Sequence, residues 1–164
     1  MSKIHLTVDN RSIMAAPGAT VLQAALAAGI KIPTLCYLAD LAPEGACRMC
    51  VVEIDGVRGL PASCTYPVSE GLVVRTSSPA IKEARRMIIE FLLNNHPQEC
   101  LSCQRNLSCD LQRLAAEYGV QKGRFAGDER ERHREDGNPF IRRDTAKCVL
   151  CGRCVRVCRN VQGC

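Results

Sequence analysis

Lys147-Cys148-Val149-Leu150-Cys151-Gly152-Arg153-Cys154-Val155-Arg156-Val157-Cys158 sets four cysteines at C-x2-C-x2-C-x3-C, and Cys164 follows them. Zinc has little use for four thiolates at this pitch. The run points instead to a polynuclear cluster, and the rest of the chain repeats the theme: its 164 residues hold 12 cysteines, no Trp and 4% aromatics. Cores with so few rings lean on inorganic staples. A hydrophobic content of 46% excludes a disordered chain. No apolar run is long enough to span a membrane, and Met1-Ser2-Lys3-Ile4-His5 does not open a secretory signal. The sequence therefore predicts a cytoplasmic chain whose thiols stay reduced and serve as ligands rather than disulfides.

Two further ligand sets lie upstream. Cys36, Cys47, Cys50 and Cys64 are spaced C-x10-C-x2-C-x13-C, the plant-type 2Fe-2S pattern with a longer first gap. A zinc ribbon wants two short pairs, and this block has one. For a cluster, the loop from Glu44 to Met49 must wrap tightly so that backbone N–H groups face sulfur, and Gly45 and Ala46 suit that close approach. His96, Cys100, Cys103 and Cys109 are spaced H-x3-C-x2-C-x5-C, with His96 at a helix end before Pro97. One imidazole and three thiolates fit either zinc or a 4Fe-4S cluster, and spacing does not choose between them. His5 and His133 read as surface residues. The run at 148–158 has the spacing of bacterial ferredoxins, in which the first three cysteines bind one 4Fe-4S cluster and the fourth serves the other cluster of a pair. The residue after Cys158 is Arg159 where Pro is usual.

Between these sets, local signals predict an α+β fold. Ile4, Leu6, Val8 and Ile13 alternate with polar residues across Asp9-Asn10, a hairpin with His5 on its outer face. Thr20 to Gly29 reads as a capped and Gly-terminated helix. Residues 51–58 read as a hairpin turning at Asp55-Gly56, and Leu72-Val73-Val74-Arg75 as a closing strand. A long helix starts at Ser77-Ser78-Pro79 with Ile81, Ala84, Ile88, Phe91 and Leu92 as its apolar stripe and Lys82, Arg85 and Arg86 off it. A second runs from Asp110 to Tyr118, stopped by Gly119. Asp128 to Asp136 mixes charges without an apolar residue and reads as a solvated linker. Domains are expected at 1–78, 79–138 and 139–164.

The net charge of +5 could suggest nucleic acid. Clusters change the sum: two all-thiolate clusters at about −2 each and a one-His cluster at about −1 bring it to roughly zero. The basic excess is therefore read as counter-charge first and as docking surface second, and no nucleic-acid partner is expected.

Three stretches carry a resemblance: Cys-Arg-Met-Cys-Val-Val-Glu at 47–53, His-Pro-Gln-Glu-Cys-Leu-Ser-Cys at 96–103, and Lys-Cys-Val-Leu-Cys-Gly-Arg-Cys at 147–154. Over essentially all its length the chain resembles the N-terminal electron-transfer region of NADH-linked iron-only hydrogenases. That region is shared by the large iron-sulfur subunit of complex I, the alpha subunit of NAD-dependent formate dehydrogenases and the diaphorase iron-sulfur subunit of NAD-reducing nickel-iron hydrogenases. The stretch from Gln104 to Gln112 looks most like the iron-only hydrogenase branch.

The resemblance implies a plant-type ferredoxin (β-grasp) domain, a small helical one-His three-Cys domain, and the first half of a bacterial two-cluster ferredoxin domain. It implies that Cys36, Cys47, Cys50 and Cys64 hold a 2Fe-2S cluster and that His96, Cys100, Cys103 and Cys109 hold a 4Fe-4S cluster. Cys148, Cys151 and Cys154 would hold a second 4Fe-4S cluster. Its fourth ligand would come from a Cys run beyond residue 164, so the chain is expected to be part of a longer protein. Cys158 or Cys164 is the candidate substitute. The implied partners are an NADH-oxidising flavin and iron-sulfur subunit and a small 2Fe-2S subunit, in a hetero-oligomeric complex.

Function follows as an expectation: a conduit of one-electron carriers between that flavoprotein and a catalytic domain. The sequence shows no G-x-G-x-x-G or P-loop and no Ser-His-Asp set, hence no substrate site of its own. The rival of another class is a zinc-binding interaction module using the face of Lys82, Arg85 and Arg86. It would be colourless, whereas iron-sulfur protein is brown.

Overall fold

The computed structural model describes residues 3–125, 134–135, 137–141 and 143–163. His133, Cys164 and most of the charged stretch at 128–136 lie outside the described residues. The chain divides into two compact units, Met1–Arg85 with Gly152–Cys164, and Arg86–Cys151.

The first unit is built on a four-stranded mixed sheet in the order β2-β1-β4-β3. β1 (Ile4–Val8) and β2 (Arg11–Ala15) form the expected antiparallel hairpin, with Leu6 opposite Ile13. Asp9 and Asn10 turn it at φ 48° and 65°, the left-handed pair that a two-residue turn requires and that these short polar side chains tolerate. β4 (Leu72–Arg75) runs parallel to β1, and β3 (Glu53–Ile54) runs antiparallel to β4. Leu6, Val8, Ile13 and Val74 bury against α1 (Val21–Ala27), whose Val21, Leu22, Ala24 and Ala25 are buried. Thr20 starts α1 with a reciprocal cap: its hydroxyl accepts from Gln23 N–H at 3.3 Å, and the Gln23 side chain accepts from Thr20 N–H at 2.8 Å.

The hairpin expected at 51–58 is only half right. The chain does turn after Ile54, where Val57 N–H bonds the Ile54 carbonyl at 3.0 Å. The strand that pairs with β3 is β4, however, and Val51 bridges Ala62. A local alternation pattern marks a strand without saying which distant edge completes it.

α2 (Pro79–Asn94) is capped by Ser78, whose hydroxyl accepts from Ile81 N–H at 3.2 Å. Its buried row is Ile81, Arg85, Ile89 and Leu93, with Glu90 beside it, so the face is rotated from the expected stripe. Phe91 is 51% exposed, and Arg85, expected on the polar face, is only 4% exposed. The reason is pairing: Arg85 finds buried carbonyls within the first unit.

In the second unit, α3 (Asp110–Glu117) buries Leu111, Leu114 and Ala115 as expected, and Gly119 follows at φ 66°. Glu90, 1% exposed, accepts from Arg124 Nε at 2.8 and 3.0 Å and lies 3.5 Å from Arg86 Nε. Phe91 stacks on Phe125 with ring centres 4.7 Å apart. β5 (Arg134–Glu135) pairs with β6 (Arg143–Asp144), a strand pairing that the linker reading did not anticipate. In the first unit, α4 (Arg153–Val157) continues into a wider turn at Cys158–Gln162. Among the described residues, no helix is long and apolar enough to cross a membrane.

Candidate metal centres

Cys36, Cys47, Cys50 and Cys64 come together in the first unit, three of them buried, and Cys50 and Cys64 are part of its hydrophobic core. They form two hydrogen-bonded pairs, Cys36 with Cys47 and Cys50 with Cys64. Within each pair one thiol donates to the other. This holds Cys47 and Cys50 down to about 6, as thiolates, and pushes Cys36 and Cys64 up, burial adding to the rise. Thiolate is the ligating form.

The Glu44–Met49 loop does what the sequence reading asked of it. The N–H groups of Ala46 and Cys47 face the Cys36 sulfur, and that of Met49 faces Cys47. Gly45, at φ 65°, packs where a side chain would crowd Thr65, its Cβ position lying 3.3 Å from Cγ2. Arg48 turns at φ 58° and ties the loop across to the Leu60 carbonyl at 2.9 Å. Four thiols with backbone donors at Cys36, Cys47 and Cys50 would suit a two-iron group.

Sequence reasoning missed two buried arginines behind this loop. Arg85 Nε donates to the Met49 carbonyl at 3.1 Å and Nη2 to that of Val51 at 2.8 Å, clamping the backbone on either side of Cys50. Arg156, 2% exposed, donates to the carbonyls of Cys36 and Ala42. No local signal in the sequence could have found either, since their partners lie at least 34 positions away.

In the second unit His96, Cys100, Cys103 and Cys109 all line one cavity of about 480 Å³. Cys100 opens a tight turn, Cys100–Ser102, and Cys109 stands at the N-terminus of α3. The loop between them is pinned by its own side chains: Arg105 Nη2 bonds the Ser108 carbonyl at 2.9 Å, and Gln112 accepts from Leu107 N–H and donates to Asn106, both at 2.9 Å. Arg105 N–H points at the Cys103 sulfur from 3.5 Å. Burial, and then the Lys147 ammonium that shares the cavity wall, hold His96 below its ordinary 6.5. The neutral imidazole that ligation needs is therefore favoured. One imidazole and three thiols around a cavity of this size fit a four-iron group.

Of the third set, Cys148 and Cys151 belong to the second unit, and Cys154 and Cys158 to the first. Cys148 follows the turn Thr145–Lys147, Cys154 lies in α4 and Cys158 directly follows it. Leu150 at φ 54° and Gly152 at φ 67° bend the backbone between these cysteines. Among the described residues, no three His, Cys, Asp or Glu side chains converge as a single metal ion would require. His5 is exposed at the hairpin, beside Glu70 at 3.4 Å, as its surface reading expected.

Three family models match the chain. Residues 1–79 match a 2Fe-2S iron-sulfur cluster binding domain, residues 85–124 the NADH-ubiquinone oxidoreductase-G iron-sulfur binding region, and residues 141–160 a 4Fe-4S binding domain. The solved structure of an NAD+-reducing [NiFe]-hydrogenase in the H2-reduced state superposes with a TM-score of 0.90 at 37% identity, over 96% of this chain and 67% of that one. The chain belongs to the iron-sulfur family of NAD(P)-linked hydrogenases and NADH-quinone oxidoreductases. Within that family it is 40% identical to the NADP-reducing hydrogenase subunit HndD of Solidesulfovibrio fructosivorans, over 100% of this chain and 29% of that protein. It is also 40% identical to the mitochondrial NADH-ubiquinone oxidoreductase 78 kDa subunit of Neurospora crassa, over 99% of this chain and 22% of that protein. The chain thus spans less than a third of either relative's length. The matched model for residues 85–124, which include His96, Cys100, Cys103 and Cys109, is one of iron-sulfur binding. The cofactors are 2Fe-2S and 4Fe-4S clusters.

Proposed function

We propose that the chain is the electron conduit of an NADH-linked iron-only hydrogenase, standing between an NADH-oxidising flavin and iron-sulfur partner, with its small 2Fe-2S subunit, and a catalytic domain. Cys36, Cys47, Cys50 and Cys64 hold the 2Fe-2S cluster in a plant-type β-grasp domain at 1–78. His96, Cys100, Cys103 and Cys109 hold a 4Fe-4S cluster in a helical domain at 79–138. Cys148, Cys151 and Cys154 hold another in a ferredoxin domain at 139–164, with Cys158 as its fourth ligand or as a ligand of a second cluster. When bound, the clusters supply one-electron redox chemistry.

The observation that carries this reading is the cavity wall shared by His96 and its three cysteines. The chain's own residues bind, orient and insulate: N–H donors face the sulfurs, Arg85 fixes the backbone on either side of Cys50, and the core of the first unit keeps water from Cys50 and Cys64. The test is an anaerobic redox titration followed by electron paramagnetic resonance. Two-iron and four-iron signals that appear on reduction and vanish on reoxidation support the conduit; a colourless, zinc-loaded, silent chain overturns it. A second reading, the diaphorase subunit of an NAD-reducing nickel-iron hydrogenase, is favoured by the superposition at TM-score 0.90.

A further inference from the structure

Arg156 sits between Cys154 and Cys158 in the sequence, yet its side chain serves a different ligand set. From α4 it reaches into the first unit, 2% exposed, where Nη2 donates to the Cys36 carbonyl and Nη1 to the Ala42 carbonyl at 3.0 Å. Its Nε faces Glu44 Oε2 at 3.6 Å and has no hydrogen-bond partner. Glu44 opens the loop that carries Cys47, is itself 44% exposed, and also pairs with Arg159 at 3.3 Å. A buried, permanently charged guanidinium thus rests on the backbone of one cysteine of the first set, with a half-exposed carboxylate opposing it.

We propose that Arg156 tunes the reduction potential of the centre held by Cys36, Cys47, Cys50 and Cys64, and that Glu44 acts as its counterweight. The inference rests on the two-iron assignment made above. One-electron reduction adds a negative charge to a group whose thiolates already make it negative. A cation held nearby in a low-dielectric wall favours that added charge, and an anion opposes it. The arrangement also gives the helix of the third ligand set a hold on the potential of the first. Arg156 is a positioning residue: it acts through charge and through the Cys36 backbone.

The test is a redox titration of the anaerobically purified chain, following the two-iron resonance signal, with the signal from the His96 set as an internal standard. Arg156→Gln lowers the two-iron midpoint, Glu44→Gln raises it, and Arg156→Lys, which keeps the charge but loses the fork, recovers most of the loss. A purely structural prop would shift the Gln variants in the same direction, so shifts of one sign, or none, overturn the proposal. If Arg156→Gln fails to retain the centre, Glu44→Gln decides alone: a raised midpoint supports the proposal, and an unchanged or lowered one overturns it. An unaltered chain with no two-iron signal overturns the cofactor assignment itself, whereas a signal that is present and does not move overturns only the role of Arg156.

Discussion

The Arg85 guanidinium lies 2.8 Å from the Val51 carbonyl oxygen, and through Nε it also holds the Met49 carbonyl at 3.1 Å. A helix is thereby bolted to the backbone on either side of Cys50. Removing the cation leaves two buried acceptors without their donor. Arg85→Met is expected to destabilise the first unit by about 2–4 kcal/mol, the range for losing charged hydrogen bonds to buried groups. Urea denaturation followed by circular dichroism measures it. The two-iron chromophore should be lost at lower urea than the four-iron one, and equal sensitivity of both would count against the clamp.

Glu90 is buried against Arg124 and Arg86 in the second unit. Arg124→Met strips the Nε donor that both carboxylate oxygens share while Arg86 remains at 3.5 Å, so the expected cost is about 2–3 kcal/mol, less than for an entirely orphaned buried charge. Next to it, a Cβ on Gly123 would lie 1.6 Å from Asn94 Oδ1 and 2.6 Å from the Glu90 carbonyl oxygen. The Asn side chain can turn away but the backbone cannot, so Gly123→Ala should lower the melting temperature as well. Wild-type melting of both variants would contradict this packing.

Acid should release Glu53. Its carboxylate accepts from Ser78 Oγ at 2.6 Å and from Arg75 Nε at 3.3 Å, which holds it below the ordinary 4.5. Because the folded value is depressed, the stabilisation is fully present above the unfolded value and is lost as pH falls through the folded one. The gap in melting temperature between the unaltered chain and Glu53→Gln should therefore hold constant from neutral pH down to about 4.5 and close below it. Acid strips clusters from both proteins alike, so the gap is the quantity to follow; a gap already closing near pH 6 would exclude this cause.

As a ligand of the proposed four-iron cluster, a neutral His96 would carry no charge where a fourth thiolate would carry one. His96→Cys adds a negative charge to the ligand set and should make that cluster harder to reduce, seen as a lower midpoint with the two-iron signal unmoved. An unchanged or raised midpoint would contradict the charge argument.

The parts of this molecule that were legible in the sequence are those fixed by neighbours. Asp9-Asn10 turns the first hairpin, Thr20 and Gln23 cap α1, and Gly119 stops α3, because each acts over a few residues. In the candidate site the same holds for His96, Cys100, Cys103 and Cys109, close in sequence and lining one cavity. What periodicity misplaced was the buried face of α2: hydropathy put Arg85 in solvent, while carbonyls 34 and 36 positions away pay for its burial. Arg156, whose partners lie 114 and 120 positions away, was beyond any local reading. The strand that completes β3 was missed likewise, since β4 enters the sheet from outside the apparent hairpin.

A conduit differs from a zinc module in that these cysteines and His96 would hold iron-sulfur clusters rather than zinc. Iron, acid-labile sulfide and zinc per chain after anaerobic purification test it most directly. About six irons are expected with the first two sets filled, and about ten when the third is completed as well. Zinc in place of iron, with no labile sulfide, would contradict it.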